Sequence, residues 1–221
     1  MLPLAICGSS FCEQLPKAAP SEIAHLDSVQ GLDVIDGTAE VGTYRGRRAV
    51  HLLPLPSHPM DYFTLAIISH TDFKDGILEI EVAGAPGKDA DPDNRGFVGL
   101  AFHVQNHGSR SELFYLRPTN GRSKDQLRRN HAVQYESAPD FSWQRLREES
   151  PGLYESYVDL QPGVWTKMRI VVSGTEARLY VNGATQPCLL VNDLKLGATH
   201  GQIALWAYGG TDAYFSNLKV Y

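Results

Sequence analysis

Cysteine is scarce in this 221-residue chain, which holds only Cys7, Cys12 and Cys188. An odd, sparse set of this kind does not build a disulfide framework, and its spacing matches no zinc-binding pattern. We therefore predict a fold stabilised by a hydrophobic core, which a chain with 43% apolar residues is able to form.

Long apolar runs and an excess of positive charge are also missing. No stretch of 18 apolar residues occurs, so the sequence predicts no membrane-spanning helix. The net charge is −5, whereas nucleic-acid binding depends on Lys and Arg that neutralise phosphates. A P-loop, a nucleophile elbow, a Rossmann fingerprint and an HExxH motif are all absent. We therefore expect that the protein neither binds nucleic acid nor inserts into a membrane.

Residues 1–30 are predicted to be an N-terminal segment outside the domain. The stretch MLPLAICGSSFC is mildly apolar but has no basic residues ahead of it, as a signal peptide would. A leader remnant and a frayed N-terminal segment both remain open. The cellular location is likewise open, with a periplasmic or secreted protein favoured. Residues 31–221 are predicted to form a single domain, because no linker-like tract divides them.

Short apolar runs with a period of two make up most of the chain, and helix-period segments are nearly absent. Candidate strands cover 47–53, 62–70, 76–82, 96–105, 112–117, 131–136, 164–173, 176–182, 187–193, 202–208 and 213–220. Turn signals such as RPTNG, LQPG and YGGTD separate them. Many short strands at regular spacing predict an all-β fold, a jelly-roll β-sandwich of two antiparallel sheets.

The alternation also predicts which face each side chain occupies, since successive residues of a strand point to opposite sides of the sheet. One apolar row consists of Val98, Leu100, Phe102 and Val104, and the other row of Phe97, Gly99, Ala101 and His103. Trp206 and Tyr208 are predicted to lie opposite the buried set Ile203, Leu205 and Ala207. These second faces mix small, aromatic and hydrogen-bonding residues, which indicates a broad concave cleft.

Three stretches together resemble a known superfamily. They are FKDGILEIEV followed by GFVGLAFHVQ, then VWTKMRIVVSGTEARLYVNG, and finally GQIALWAYGGTDAYFSNLKVY. Over roughly residues 35–221 this order resembles the concanavalin-A-like lectin/glucanase superfamily, and most closely its laminin-G-like and 3-keto-disaccharide hydrolase domains. The resemblance implies a jelly roll whose concave sheet holds saccharide. It specifies fold better than function, because one sandwich hosts lectins, hydrolases, lyases and binding modules.

The segment 103–157 carries the candidate chemistry. A sugar site needs amides and guanidinium groups that bind hydroxyls, aromatic faces, and a carboxylate or imidazole that moves protons. The candidate catalytic residues are His103, Glu112 and Tyr115. The candidate substrate-binding residues are Arg117, Arg129, Asn130, Gln134, Tyr135, Trp206 and Tyr208. The alternatives are a hydrogen-bonded histidine on the sheet face for His103 and a core-filling role for Tyr115. Trp143 lies in a long loop that is predicted to form a wall or lid of the cleft.

The loop PTNGRSKDQLRRN, residues 118–130, carries four cations and one anion in an otherwise acidic protein. This local charge predicts an anionic group on the ligand, such as a uronate, sulfate or phosphate. The alternative is a solvated basic loop.

The run KDADPDN places Asp89, Asp91 and Asp93 at alternate positions, as calcium loops do. The glycine that an EF-hand loop needs is replaced by Asn94, and flanking helices are absent from the pattern. We predict no cofactor, with a surface calcium ion as the alternative to a plain polar loop.

The function predicted from the sequence is recognition of a carbohydrate or glycoside on the concave sheet face. Two readings of that function remain open, a glycoside hydrolase or polysaccharide lyase and a non-catalytic carbohydrate-binding module. The third alternative is a protein-interaction sandwich with no small ligand.

Overall fold

A computed structural model describes residues 22–24, 26–54 and 62–221. The first half of the described chain contains β1 (Glu22–Ala24), β2 (Leu32–Ile35), β3 (Gly37–Tyr44), β4 (Arg47–Pro54), β5 (Phe63–Phe73), β6 (Gly76–Pro86), β7 (Val98–Gln105) and β8 (Arg110–Leu116). The second half contains α1 (Gln126–Asn130), β9 (Val133–Ala138), α2 (Trp143–Glu149), β10 (Glu155–Ser156), β11 (Thr166–Ser173), β12 (Glu176–Val181), β13 (Leu189–Val191), β14 (Gly201–Tyr208) and β15 (Thr211–Val220).

The strands form two antiparallel sheets that pack face to face. One sheet has the order β13-β12-β11-β6-β15-β4-β3, with β1 paired to β15. The other has the order β10-β9-β8-β7-β14-β5-β2, and we call it the concave sheet. The predicted all-β sandwich of two antiparallel sheets is therefore confirmed. The predicted domain start at residue 31 lies close to β2, although β1 already joins the first sheet.

The core lies between the sheets and follows the predicted alternation. Met168, Ile170 and Leu179 of one sheet and Leu100, Phe114 and Leu205 of the other are fully buried in it. Strands β2 and β3 were not among the predicted strands. Their side chains are mostly half-buried or exposed, so GLDVIDGTAEVGTY carries too few large apolar residues to show the pattern. The two short helices lie in segments predicted to be loops, α1 within residues 118–130 and α2 in the loop that contains Trp143.

The predicted faces of His103 and Val104 are wrong, because a β-bulge lies at the end of β7. The pairing of β7 with β8 and with β14 is irregular at this point, and His103 has a φ of 51°. The extra residue reverses the alternation. Val104 therefore packs with Ala101 and Leu113 on the concave face, instead of joining Phe102 in the inter-sheet core.

Glu112 and Tyr135 belong to a polar cluster inside the sandwich. The Tyr135 hydroxyl donates to Glu112 Oε2 at 2.6 Å, and Glu112 Oε1 accepts from the backbone N–H of Leu196 at 2.8 Å. The same hydroxyl accepts from the backbone N–H of Lys195 at 2.8 Å. Burial raises the pKa of Glu112 above its ordinary value, and the bonds from Tyr135 and Leu196 oppose that shift. The cluster thus attaches the segment that follows β13 to the core.

The Tyr135→Phe substitution is expected to lower the free energy of unfolding by about 1–3 kcal/mol. It leaves a Glu112 oxygen and the Lys195 N–H buried without their partner. Denaturant unfolding measures the change. Tyr157→Phe is the matched control, because its hydroxyl accepts one bond from Arg129 in an exposed position and its loss should cost less than about 0.5 kcal/mol. Equal changes in the two variants would contradict a stabilising role for the cluster.

Candidate functional site

The outward face of the concave sheet is built from side chains that share one parity on five strands. Strand register aligns them in cross-strand rows. The first complete row is Leu65, Trp206, Gly99, Tyr115 and Gln134. The row beside it is Ile67, Ala204, Ala101, Leu113 and Glu136. Phe63 and Tyr208 begin a third row, which Phe97 and Arg117 continue at the strand ends.

Small residues in the middle of these rows form a trough. Gly99 stands between Trp206 and Tyr115, whose ring centroids are 4.9 Å apart. A Cβ at Gly99 would overlap the Phe114 carbonyl and the Tyr115 backbone, so no larger residue fits there. A cavity of about 1160 Å³ lies over the trough, slightly larger than the roughly 300–1,000 Å³ usual for a site that binds a small molecule.

A carboxylic acid, a phenol and a guanidinium meet on the floor of the cavity. The Tyr115 hydroxyl donates to Glu136 Oε1 at 2.6 Å. Arg117 donates from one terminal nitrogen to the Tyr115 hydroxyl at 2.9 Å and from the other to Gln134 Oε1 at 3.1 Å. The amide of Gln134 in turn donates to the backbone carbonyls of Tyr135 and Tyr154, which fixes its orientation. These bonds hold Glu136 in one position.

Burial changes the proton affinity of both acidic groups. It raises the pKa of Glu136 above its ordinary value, although the bond from Tyr115, the charge of Arg117 and the backbone N–H of Trp143 favour the ionised form. Burial also raises the pKa of Tyr115 well above its ordinary value. Tyr115 therefore stays protonated and donates its hydrogen bond. A carboxyl group with a raised pKa in a cavity is a candidate for moving protons.

Glu155 lies beside this floor in contact with several basic side chains and is only 7% exposed. Arg147 donates to both of its carboxylate oxygens, with the shortest contact at 2.5 Å. His131 Nε2 lies 3.2 Å from Glu155 Oε1, and Arg117 lies 3.9 Å from Oε2. Burial holds the pKa of His131 below its ordinary value, while the Glu155 carboxylate opposes that shift.

Helix α2 supplies one wall of the cavity. Ser142 caps its first turn by accepting from the backbone N–H of Arg145. Trp143 and Arg147 are four residues apart and so lie on one helix face. The guanidinium groups of Arg147 and Arg117 lie over the Trp143 ring, at 4.7 and 5.9 Å from its centroid. Trp143 lines the cavity, in agreement with the prediction that its segment forms a wall.

Five of the ten predicted site residues occupy the concave face. They are Tyr115, Arg117, Gln134, Trp206 and Tyr208. The cavity is lined by four of them, and Gln134 lies directly behind Arg117. Their proposed roles in binding or catalysis stay predictions.

The other five lie elsewhere. His103 is buried beside the β5–β6 turn, where its Nε2 lies 2.8 Å from the Lys74 carbonyl, and burial lowers its pKa. Glu112 and Tyr135 point into the inter-sheet core, because their parity is opposite to that of Tyr115. Arg129 donates to the exposed Tyr157 hydroxyl, and Asn130 accepts from Gln126. None of the five lines the cavity.

Glu136, Arg147, Glu155 and Arg128 were missed as site residues from the sequence. Glu136 had a usable signal, since it follows Gln134 by two positions and shares its face. Arg147 and Glu155 come together through helix α2 and strand β10, which the pattern did not predict. Arg128 was passed over for its neighbour Arg129, because charge alone does not show which residue of a short helix points inward.

The acidic loop predicted as an alternative calcium site lies at the rim of the cavity. Asp91 accepts from the backbone N–H of Asp93, and Asp93 pairs with Arg95 at 2.5 Å. Within the described ranges, no three His, Cys, Asp or Glu side chains are grouped as metal ligands. In the same ranges, no helix is long and apolar enough to cross a membrane.

Solved structures share this fold over most of their length. Carbohydrate binding module CBM66 from Bacillus subtilis is 13% identical with a TM-score of 0.57, over 86% of this chain and 93% of that chain. A Bacillus subtilis protein of unknown function with a galectin-like fold is 14% identical with a TM-score of 0.56, over 92% and 96%. The exoplasmic/lumenal domain of VIP36 in its Ca²⁺/Man-bound form is 11% identical with a TM-score of 0.54, over 86% and 82%. The fold is thus a galectin-like, concanavalin-A-type sandwich.

The sequence itself narrows this class to one family. Residues 61–221 match the 3-keto-alpha-glucoside-1,2-lyase-like domain. The match spans well over half of the chain, so the protein belongs to that family. No curated protein sequence matches the chain. The family confirms the predicted superfamily, and its name agrees with the predicted recognition of a carbohydrate or glycoside.

The Glu155→Gln substitution is expected to lower the pKa of His131 further. It removes the carboxylate that lies 3.2 Å from the imidazole and leaves the positive charges of Arg147 and Arg117, which disfavour the imidazolium. NMR titration of the histidine ring protons measures the shift. Glu149→Gln serves as the control, because Glu149 pairs with Arg145 on the exposed side of α2. An unchanged or higher pKa for His131 would show that Glu155 does not stabilise its charged form.

Proposed function

We propose that this protein binds a 3-keto-α-glucoside on its concave face and eliminates the group attached at C1, with Glu136 as the base. The observation that carries the proposal is the Glu136 carboxyl group, which lines the cavity with a raised pKa and hydrogen-bonds to Tyr115 beside Arg117. The family supports a reaction of this kind, because its name describes a 1,2-lyase of such a sugar.

The elimination needs a base for the C2 proton and positive charge near the C3 oxygen. A ketone at C3 acidifies the proton on C2, and Glu136 removes it. The electron pair moves onto the C3 oxygen as an enolate, then returns to form the C1–C2 double bond as the C1–O bond breaks. The leaving oxygen takes up the proton that Glu136 accepted. The products are an unsaturated 3-keto sugar and an alcohol. Addition of water to the double bond would turn the lyase outcome into net hydrolysis.

The neighbouring residues supply charge and position. Arg117 and Arg147 place positive charge where the enolate forms, which is the type of electrostatic stabilisation that lowers such barriers. Tyr115 positions Glu136 through its hydrogen bond and does not act as a base, since it stays protonated. Trp206 and Tyr208 offer aromatic faces to the C–H surface of the ligand. Binding without turnover would instead identify a carbohydrate-binding module.

The Glu136→Gln substitution should lower kcat on a 3-keto-α-glucoside by at least about 100-fold and leave binding within a few fold, because the amide cannot accept the C2 proton. In the unmodified protein, kcat/KM should rise with pH through the raised pKa of Glu136, since only the carboxylate is a base. Tyr115→Phe removes a bond to the ionised form, so this limb of the profile should move to higher pH. Glu149→Gln is the exposed control. Full turnover by Glu136→Gln would overturn the assignment.

We extend the proposal to a negative charge on the ligand at Arg128. This side chain lines the cavity, and its Nε is buried without a hydrogen-bond partner in the described part of the chain. Arg117 and Arg147, by contrast, already contact Glu155. An unpaired buried guanidinium nitrogen is costly unless a ligand oxygen satisfies it. The charge would be a carboxylate carried by the ligand or the enolate formed during elimination.

Arg128→Gln is expected to weaken binding of a glucuronide about tenfold or more and to leave binding of the matching neutral glucoside unchanged. If Arg128 instead stabilises the enolate, the variant should bind both sugars as the unmodified protein does and show a lower kcat for both. Calorimetry and initial rates distinguish the two cases. Arg129→Gln, whose guanidinium lies outside the cavity lining, is the matched control. An Arg128→Gln variant with unchanged binding and rates would refute the extension.

A further inference from the structure

We infer that the apolar side of the cavity receives an aromatic leaving group, so that the substrate is an aryl glycoside. This inference rests on the proposed elimination at the polar side. The two sides face a single cavity and differ sharply in chemistry across the concave sheet. On the side of β8 and β9 the lining is mainly polar and includes Tyr115, Glu136 and Arg117, which directly follows β8, with Leu113 of β8 as an apolar member. The lining side chains from β5 and β14 are Phe63, Leu65, Trp206 and Tyr208.

The aromatic rings form a ladder that leads from one side to the other. The Phe63 and Trp206 ring centroids are 6.5 Å apart with an interplanar angle of 29°. Trp206 continues to Tyr115 at 4.9 Å, and Tyr115 bonds directly to Glu136. A planar ring laid on this ladder would add one more offset stack, the arrangement that aromatic pairs prefer. It would also be adjacent to the proposed base.

A second sugar fits this side less well than an aryl ring does. Sugar hydroxyls need hydrogen-bond partners, and burying them against Phe63 and Leu65 without partners costs free energy. Two polar side chains at the nearby rim, Asn94 and Arg95, are already engaged. Asn94 donates to the Gly209 carbonyl, and Arg95 pairs with Asp93. The apolar wall therefore selects against a carbohydrate leaving group.

The reactivity of an aryl glycoside matches the residues on the cavity floor. A phenolate, with a conjugate acid of pKa about 10, leaves far more readily than an alkoxide and needs little help from an acid. The proton that Glu136 takes from C2 is sufficient to protonate it afterwards. The balance is unchanged: the C2–H and C1–O bonds break, the C1–C2 double bond forms, and the phenol carries the proton away. A single carboxyl group can thus serve both steps.

The test compares methyl and phenyl 3-keto-α-glucosides as ligands of the Glu136→Gln variant, where turnover does not interfere. Calorimetry should show the phenyl glycoside binding about tenfold or more tightly, as expected for burying one face of a ring. Adding Phe63→Ala should remove most of that preference and leave methyl glycoside affinity within twofold. Phe63 is 40% exposed, so its loss should not unfold the domain, and circular dichroism checks this. Leu190→Ala, an exposed apolar residue on the other sheet, is the control.

Each remaining outcome has a distinct meaning. Equal affinity for the two ligands, or an equal loss for both in Phe63→Ala, would overturn the aryl site while leaving the elimination intact. Tighter binding of the 3-keto form of maltose than of the phenyl glycoside would assign the same side to a second sugar. Failure of every 3-keto glucoside to bind, together with no turnover by the unmodified protein, would instead remove the proposed function itself.

Discussion

Burial of the concave sheet on both of its faces is the constraint on which the rest of this structure depends. Strand β7 shows it most clearly, because Leu100 and Phe102 pack between the sheets while Ala101 and Val104 pack on the opposite face. A sheet that is apolar on both sides cannot leave its second face open to water at low cost. The connection between β7 and β8 and helix α2 partly cover that face. The cavity is the part of the face that they leave accessible.

The same constraint explains how polar groups become reactive here. Tyr115 and Glu136 pack beside apolar members of this face such as Leu65, Ala101 and Leu113, so they are poorly hydrated and their pKa values rise. The positive charge of Arg117 and Arg147 offsets part of that cost, and the Glu155 carboxylate lies against both arginines. The site is therefore one connected set of charges, in which removing any member changes the others. Glu112 shows the contrasting case, since backbone and tyrosine donors hold it and it does not line this cavity.

Strand parity predicted much of the site from the sequence. Trp206 and Tyr208 lie on the expected face, as do Gly99 and Ala101, because regular strands obey a period of two. The prediction failed where the backbone departs from regularity. One extra residue at His103 reversed the order at the end of β7, and no local signal in HVQNHG marks the insertion. Glu112 was misassigned for a different reason: it was chosen as a catalytic candidate although it lies three positions before Tyr115, so the two side chains point to opposite faces of a regular strand.

Tertiary contacts bring together the site residues that the sequence pattern did not predict. Arg147 and Glu155 meet because a helix of seven residues, Trp143–Glu149, folds back beside β9. Its seven residues are too few for a helical period to stand out among strands. Composition could place many polar groups in 103–157, but it could not separate those facing the cavity from those facing the core or the solvent.

The bulge at His103 also leads into a backbone segment that limits the binding face at one end. Beyond it the chain turns through Asn106, His107 and Gly108, all with positive φ, and a Cβ at Gly108 would lie 3.0 Å from Leu65 Cδ1. Main chain from the β7–β8 connection therefore rests on the apolar flank of the binding face. Accommodating a longer ligand in that direction would require a different loop, not a different residue. Relatives with other connections between these strands would then differ in the reach of their sites while keeping the same floor.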